Sequence, residues 1–288
     1  MGILEKLKVF ELTPVEKHGE VWFKRDDKYM PFSDVPLSGG KVRQTVCLLN
    51  DNYEYIKEKC ESTVITATSV NSPQGLVVAR TAKEFGFKSI LVMGATKEET
   101  ISKNKMIQRA IKAGAETDIQ SAMAYENVLM SRVNHICEYR NYFVIKFGIN
   151  LDSSPGAIVD STSYQVQNIP KDLDLLVVSI GSGITFGGIL RGLVKYEIKP
   201  KKIVGVQIAG HDRNKVIRSI SGDRLCEYEY IRDKTYAYSR KVKIKFNKSE
   251  FMDPVYEAKA YDWMLKNLDY RNNKTLFWIV GNSSRVRE

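Results

Sequence analysis

Short β-branched apolar runs alternate with helical stripes along this chain. Stretches at 21–24, 63–68 (TVITAT), 89–93, 142–147, 173–180 (LDLLVVSI), 202–208 (KIVGVQI) and 276–280 read as strands, the run at 173–180 as a buried one. Between them apolar positions recur at helical spacing. One such helix covers 76–85; another starts at Lys97, places Ile101, Met106, Ile107, Ala110 and Ile111 on one face, and ends at Gly114. This alternation predicts an α/β fold of mostly parallel, twisted sheets with crossover helices. A chain of 288 residues has room for two lobes. We expect them to interleave, with a smaller α/β lobe at 47–150 inserted into a larger one made of 1–46 and 151–288.

Composition narrows the function classes. No run reaches about 18 apolar residues, so no membrane span is expected. The first residues lack the apolar core of a secretory signal. Cys47, Cys60, Cys137 and Cys226 are far apart, which fits free thiols in a reducing cytoplasm. His18, His135 and His211 are equally scattered, so no metal site is expected. A hydrolase reading fails for want of a G-x-S-x-G elbow or a cysteine-nucleophile signature.

The net charge of +10 is uneven: residues 191–250 hold 16 Lys and Arg against 7 Asp and Glu. Within that stretch Lys241, Lys243 and Lys245 alternate with apolar residues, like an exposed strand edge guarded against aggregation. A basic face of this kind is either merely solvated or attracts a polyanion such as nucleic acid.

Three short motifs carry chemistry. In Ser38-Gly39-Gly40-Lys41-Val42-Arg43 two glycines isolate a lysine beside another cation, where it can lose a proton and attack a carbonyl. Gly181-Ser182-Gly183-Ile184-Thr185-Phe186-Gly187-Gly188 follows a buried strand and opens a helix, so several N–H donors and two hydroxyls converge. This is neither the dinucleotide fingerprint nor a Walker loop, and a single phosphate is the better ligand, unless the glycines only permit close packing. Asp253-Pro254-Val255-Tyr256-Glu257-Ala258-Lys259 sets a tyrosine beside an acid as another helix begins; first-turn dipole complementarity alone would also explain Glu257.

Together these pieces resemble the fold-type II pyridoxal-phosphate (PLP) enzymes, in the branch of aminocyclopropane-carboxylate deaminase and D-cysteine desulfhydrase. Thr13-Pro14 followed by Phe23-Lys24-Arg25-Asp26-Asp27 is similar to the branch's opening. Gly39-Gly40-Lys41-Val42-Arg43 resembles its G-G-N-K-x-R, Asn71-Ser72-Pro73-Gln74-Gly75 stands at its cofactor loop, and the other two motifs match its phosphate loop and its D-P-V-Y-E-G-K. The resemblance runs from residue 12 to residue 280. Here Gly40 replaces the family Asn, Pro73 interrupts the loop, and Ile184 replaces a phosphate-loop glycine.

The resemblance implies pyridoxal 5'-phosphate bound to Lys41 as a Schiff base. Asn71, Gln74, Gly181, Ser182, Gly183, Ile184, Thr185 and Glu257 would contact it, Glu257 at the ring nitrogen. Lys41 would act as base at Cα, with Ser72 and Tyr256 on the opposite face. Ser72 as a plain helix cap and Tyr256 as a core aromatic are the competing readings. The implied reaction is carbanion chemistry on an amino-acid moiety. The favoured form is isomerisation of glycine attached to thymine in DNA, from N-linked to Cα-linked, as in viral DNA hypermodification. A deaminase or lyase of a small free amino acid and a non-catalytic PLP-binding relative are the alternatives. A homodimer is expected from the resemblance alone.

Overall fold

A computed structural model describes all residues except 1, 71, 95–97, 121–124, 150–155, 209–211, 223–225, 238–239, 245–251 and 288. Ten strands are described: β1 (Val15–His18), β2 (Val21–Arg25), β3 (Thr63–Thr68), β4 (Lys88–Gly94), β5 (Ala115–Gln120), β6 (Phe143–Ile145), β7 (Leu175–Ile180), β8 (Lys202–Gln207), β9 (Glu229–Arg232) and β10 (Thr275–Ile279). The helices are α1 (Ile3–Lys6), α2 (Gly40–Asp51), α3 (Tyr53–Lys59), α4 (Gln74–Phe85), α5 (Glu98–Ser102), α6 (Lys105–Lys112), α7 (Glu126–Cys137), α8 (Gly156–Tyr164), α9 (Ile184–Lys195), α10 (Asn214–Ser221), α11 (Glu257–Asn267) and α12 (Ser284–Arg287).

Two sheets result, one ordered β1-β2-β10-β7-β8-β9 and the other β5-β4-β3-β6. All pairings are parallel except β1 with β2. The smaller sheet draws its strands from within 47–150 and the larger from the two flanking segments. Helix α2 runs across residue 46, so the passage between the sheets is made inside a helix; the lobe boundaries remain our proposal.

Alternation along the central strands divides the larger sheet's core into two layers. Val177, Val204 and Phe277 pack with Ala258, Tyr261 and Met264 of α11, whereas Val178, Leu276 and Trp278 pack with Ile189, Leu190 and Leu193 of α9. β3, β7 and β10 are buried throughout, as parallel strands covered on both faces must be. In the smaller sheet Val64, Leu91 and Met93 face α4 and α6, while Ile65, Ala67 and Val92 face Leu129 and Val133 of α7.

Two expectations need correction. The helix expected from Lys97 is two helices, α5 and α6, because the Asn104 side chain accepts the N–H groups of Met106 (3.0 Å) and Ile107 (3.3 Å) and starts a new helix. Ile111, expected on the apolar face, is 41% exposed. Residues 241–244 do alternate outward and inward, but they join neither sheet and so form no strand edge; Lys245 lies outside the described residues.

Candidate active site

The larger sheet's parallel strands end on one side, and the site is built there. Gly39, at φ +93°, turns the chain into α2 directly against the end of β10: a Cβ at this position would lie 2.3 Å from the Val280 carbonyl oxygen. Gly40 N–H donates to that same oxygen at 2.9 Å. The next residue is Lys41, in the first turn of α2 and half-buried. Among the described residues its amine has neither a hydrogen bond nor an ion pair. Desolvation holds its pKa down to about 8.

Behind Lys41 the start of α2 is fixed by buried charge. Arg43 donates to Asp26 Oδ2 at 3.1 Å and to the Val9 carbonyl at 3.0 Å; Asp26 also accepts from the Thr13 hydroxyl at 2.8 Å. One turn after Lys41, Gln44 Nε2 donates to Thr185 Oγ1 at 3.0 Å. That bond ties the lysine turn to the glycine-rich loop.

The loop lies between β7 and α9. Gly183, at φ +93°, is the N-cap of α9, and a side chain there would press on Ile217 (3.1 Å) and Arg213 (3.3 Å). The first N–H groups of α9 have no helical partners and point out of the helix start. Ile184 contributes only its N–H, since its side chain is in the core. Thr185 accepts from Gln44 and keeps its own O–H to give; the half-buried Ser182 hydroxyl has no partner among the described residues. Gly187, Gly188 and Gly192 serve packing instead, against Ile220, Thr162 and Ser163.

Tyr256 and Glu257 enter from the start of α11. Asp253 shapes that turn: Oδ1 accepts the N–H groups of Val255 (2.8 Å) and Tyr256 (3.3 Å), and Oδ2 accepts Ser283 N–H (2.9 Å) from the segment after β10. The Tyr256 ring covers Gly181, 3.6 Å from where a Cβ would stand. Glu257 is 1% exposed, and its Oε2 has no partner among the described residues. Burial, and then the neighbouring Asp253 charge, push its pKa well above the carboxylate range, against a backbone hydrogen bond from Val280. The Val280 peptide therefore touches both the lysine turn and the acid.

On the smaller sheet's side, Ser72 Oγ accepts Gln74 N–H at 3.2 Å, the cap reading, and its O–H proton stays available. Gln74 is a brace: Nε2 donates to Thr66 Oγ1 (2.9 Å) and the Lys146 carbonyl (3.0 Å), while Oε1 accepts Gly148 N–H (2.7 Å). Gly148 in turn abuts Ser182, so Gln74 supports the glycine-rich loop from the other sheet. Asn71 lies outside the described residues. Lys41, Gly181, Ser182, Gly183, Thr185, Tyr256 and Glu257 are thus brought together. Sequence spacing gave no sign of Gln44, whose partners are far along the chain, and the motif that contains Asp253 assigned that residue no role.

A desolvated amine, an anion-ready helix start and a buried acid with one unpaired oxygen, at the strands' carboxyl ends, fit a phosphorylated aldehyde with a basic ring nitrogen. This is the arrangement of a fold-type II PLP enzyme. The family model for pyridoxal-phosphate dependent enzymes matches residues 5–229; the chain belongs to that family, and its cofactor is pyridoxal 5'-phosphate. A solved structure of an aminocyclopropane-carboxylate deaminase homologue superposes with a TM-score of 0.76 over 96% of this chain and 91% of its own, at 24% identity. The O-acetylserine dependent cystathionine β-synthase of Helicobacter pylori gives 0.69 over 99% and 97%, at 19% identity. In sequence, the O-seryl-dTMP PLP-dependent decarboxylase of Salmonella phage ViI is 29% identical over 207 residues, 66% of this chain and 48% of the phage protein. A protein of Pyrococcus abyssi assigned as a 1-aminocyclopropane-1-carboxylate deaminase is 29% identical over 182 residues, 60% of this chain and 51% of its own. The chain spans about half the length of these curated relatives. Among the described residues no helix is long and apolar enough to cross a membrane.

Proposed function

We propose that this PLP enzyme works at the Cα of an amino-acid moiety carried by thymine in DNA, isomerising an N-linked glycine to its Cα-linked form. The C–N bond from glycine to the thymine methylene breaks, a bond from Cα to that methylene forms, and one proton moves from Cα to nitrogen. The observation that carries the carbanion chemistry is that the Val280 peptide joins the turn of an unpartnered Lys41 amine to a buried Glu257 with one unpaired oxygen. The thymine carrier is supported by the phage relative, whose named substrate is a seryl-dTMP, and by the basic balance of 191–250.

When bound, PLP supplies the aldehyde that takes an amine and a ring that accepts electron density from Cα. At mildly alkaline pH much of Lys41 is uncharged, so its amine would be fit to hold that aldehyde carbon and to take a proton at Cα. The N–H groups at the start of α9, with the Ser182 and Thr185 hydroxyls, hold the phosphate. Glu257 keeps a proton at the ring nitrogen. Tyr256 and Ser72 serve proton transfer on the other face of Cα. The homodimer expected from the resemblance belongs to this reading and is checked by light scattering.

A second reading, loss of the amino acid's carboxylate as CO2 with a proton taking its place, is favoured by the named activity of the phage relative. Mass spectrometry of nucleosides, after incubating the PLP-loaded protein with glycyl-thymine and seryl-thymine DNA, separates the two. Isomerisation gives a product of unchanged mass and new retention; decarboxylation gives one lighter by CO2. Ammonia and a keto acid from free aminocyclopropane-carboxylate or D-cysteine, with no change in the DNA, would overturn both.

A further inference from the structure

The described residues that follow β9, 233–237 and 240–244, form a strap beside α11 and the turn before it. It is pinned at four points. Asp233 N–H donates to the Gln207 carbonyl (3.1 Å), the Tyr236 hydroxyl to Asp262 (2.8 Å), Lys259 Nζ to the Ala237 carbonyl (2.9 Å), and Val242 N–H to the Pro254 carbonyl (2.8 Å). Val242 and Ile244 pack against the core beside α11. Lys234, Arg240, Lys241 and Lys243 are exposed. Arg240 stands over the Tyr236 ring at 5.1 Å and Lys266 of α11 over the same ring at 5.8 Å, so the patch includes an aromatic as well as cations. Two described acids beside it are engaged: Asp262 pairs with Lys266, and Asp233 accepts Thr235 N–H within its own turn.

Position gives this charge its meaning. Pro254 is two residues from Tyr256, at most about 7 Å of chain. Lys241 and Lys243 are two residues apart, at most about 7 Å in the same extended chain, which presents a linear row rather than a point charge. Residues 240–244 of the strap pair with neither sheet, so Lys241 and Lys243 guard no strand edge.

We infer that the strap is the docking ledge for the phosphodiester backbone of the DNA that carries the target base. The inference rests on the thymine-linked reading and deepens it, making the substrate a strand rather than a free nucleotide. Arg240, Lys241 and Lys243 take backbone phosphates beside the target, and the base enters past Tyr256.

The test is fluorescence anisotropy of PLP-loaded protein with a labelled DNA oligonucleotide over about 50–200 mM salt. Each lost phosphate contact lowers the slope of log K against log salt by about 0.9, so the triple variant Arg240→Gln, Lys241→Gln, Lys243→Gln should lose close to three such steps and bind about 100-fold more weakly near 0.1 M salt. Its cofactor absorbance and its turnover of a free aminoacyl-dTMP should match those of the unsubstituted protein. Lys171→Gln, Lys199→Gln, Lys201→Gln, the same charge change at the far end of the sheet, should bind DNA as the parent does. Equal DNA affinity for the strap variant and the parent would overturn the inference and leave the functional reading standing. Competition by polyglutamate as effective, charge for charge, as by DNA would also overturn it. Strap-dependent DNA binding without conversion of any thymine-linked amino acid would instead sink the functional reading.

Discussion

Two buried lysines on the same strand-end layer make an instructive pair. Lys24 is fully buried, with a pKa of about 7, and its amine donates to the Thr13 carbonyl at 2.7 Å and Asn168 Oδ1 at 2.6 Å. It also stands 5.7 Å from the Trp278 ring. Lys41 is half-buried, with a pKa of about 8 and no partner among the described residues. Burial lowers both. The more perturbed amine is the structural one, because its protons are already committed to protein oxygens. A depressed pKa therefore identifies the nucleophile here only together with an unoccupied donor.

The sharpest test of the pair is its double substitution series. Lys41→Ala should abolish the yellow cofactor band and borohydride trapping and cut turnover by at least about 10³-fold. Lys24→Met should retain both while costing about 2–4 kcal/mol of stability in urea titration, since two acceptors lose their donor. A variant at Lys24 that loses the band without losing stability would break the distinction. Gly39→Ala should act like a weaker Lys41 lesion. The added Cβ collides with the Val280 oxygen, which must cost about 3 kcal/mol or displace the lysine turn, read as reduced PLP affinity by absorbance titration. Glu257→Gln, which keeps the shape but not the acid, should lower kcat by about 10²-fold with little change in the melting temperature.

The last test is in pH. Each lysine binds its proton less tightly folded than unfolded, so the unfolded chain holds more protons between the two pKa values and stability rises with pH there. For Lys24 that window runs from about 7 to 10.5, and for Lys41 from about 8 to 10.5. Below each window the penalty is fully present. Urea titrations of cofactor-free protein across pH should show the rise; Lys24→Met should remove the part that begins near 7, and Lys41→Met the part that begins near 8.

What the sequence conveyed follows burial. The strands recognised from apolar runs include every central one, since parallel strands covered on both faces are apolar throughout. The three that escaped notice, β1, β5 and β9, are all sheet edges, where half-solvated positions carry Glu16, Lys17, Glu116, Asp118 and Arg232. Strand order was equally hidden: nothing local in 275–279 says that it inserts between β2 and β7. In the site, Lys41, the glycine-rich loop and the Tyr256–Glu257 pair were legible because each is a compact motif with its own backbone logic. Gln44, the Val280 peptide and the bond from Asp253 to Ser283 were not, because they join residues far apart in the chain. Gln74 was noticed as a cofactor contact, and the fold uses its amide to join β3 to the loop after β6.

The placement of β10 has a consequence for biogenesis. Lys41 leaves the ribosome early, but the peptide that floors it, Val280, emerges some 240 residues later. Until then β2 and β7 have an open gap between them and the lysine turn has no support. Vitamin loading must therefore await the emergence of β10, and a chain stalled before that strand should be released colourless and prone to capture by chaperones.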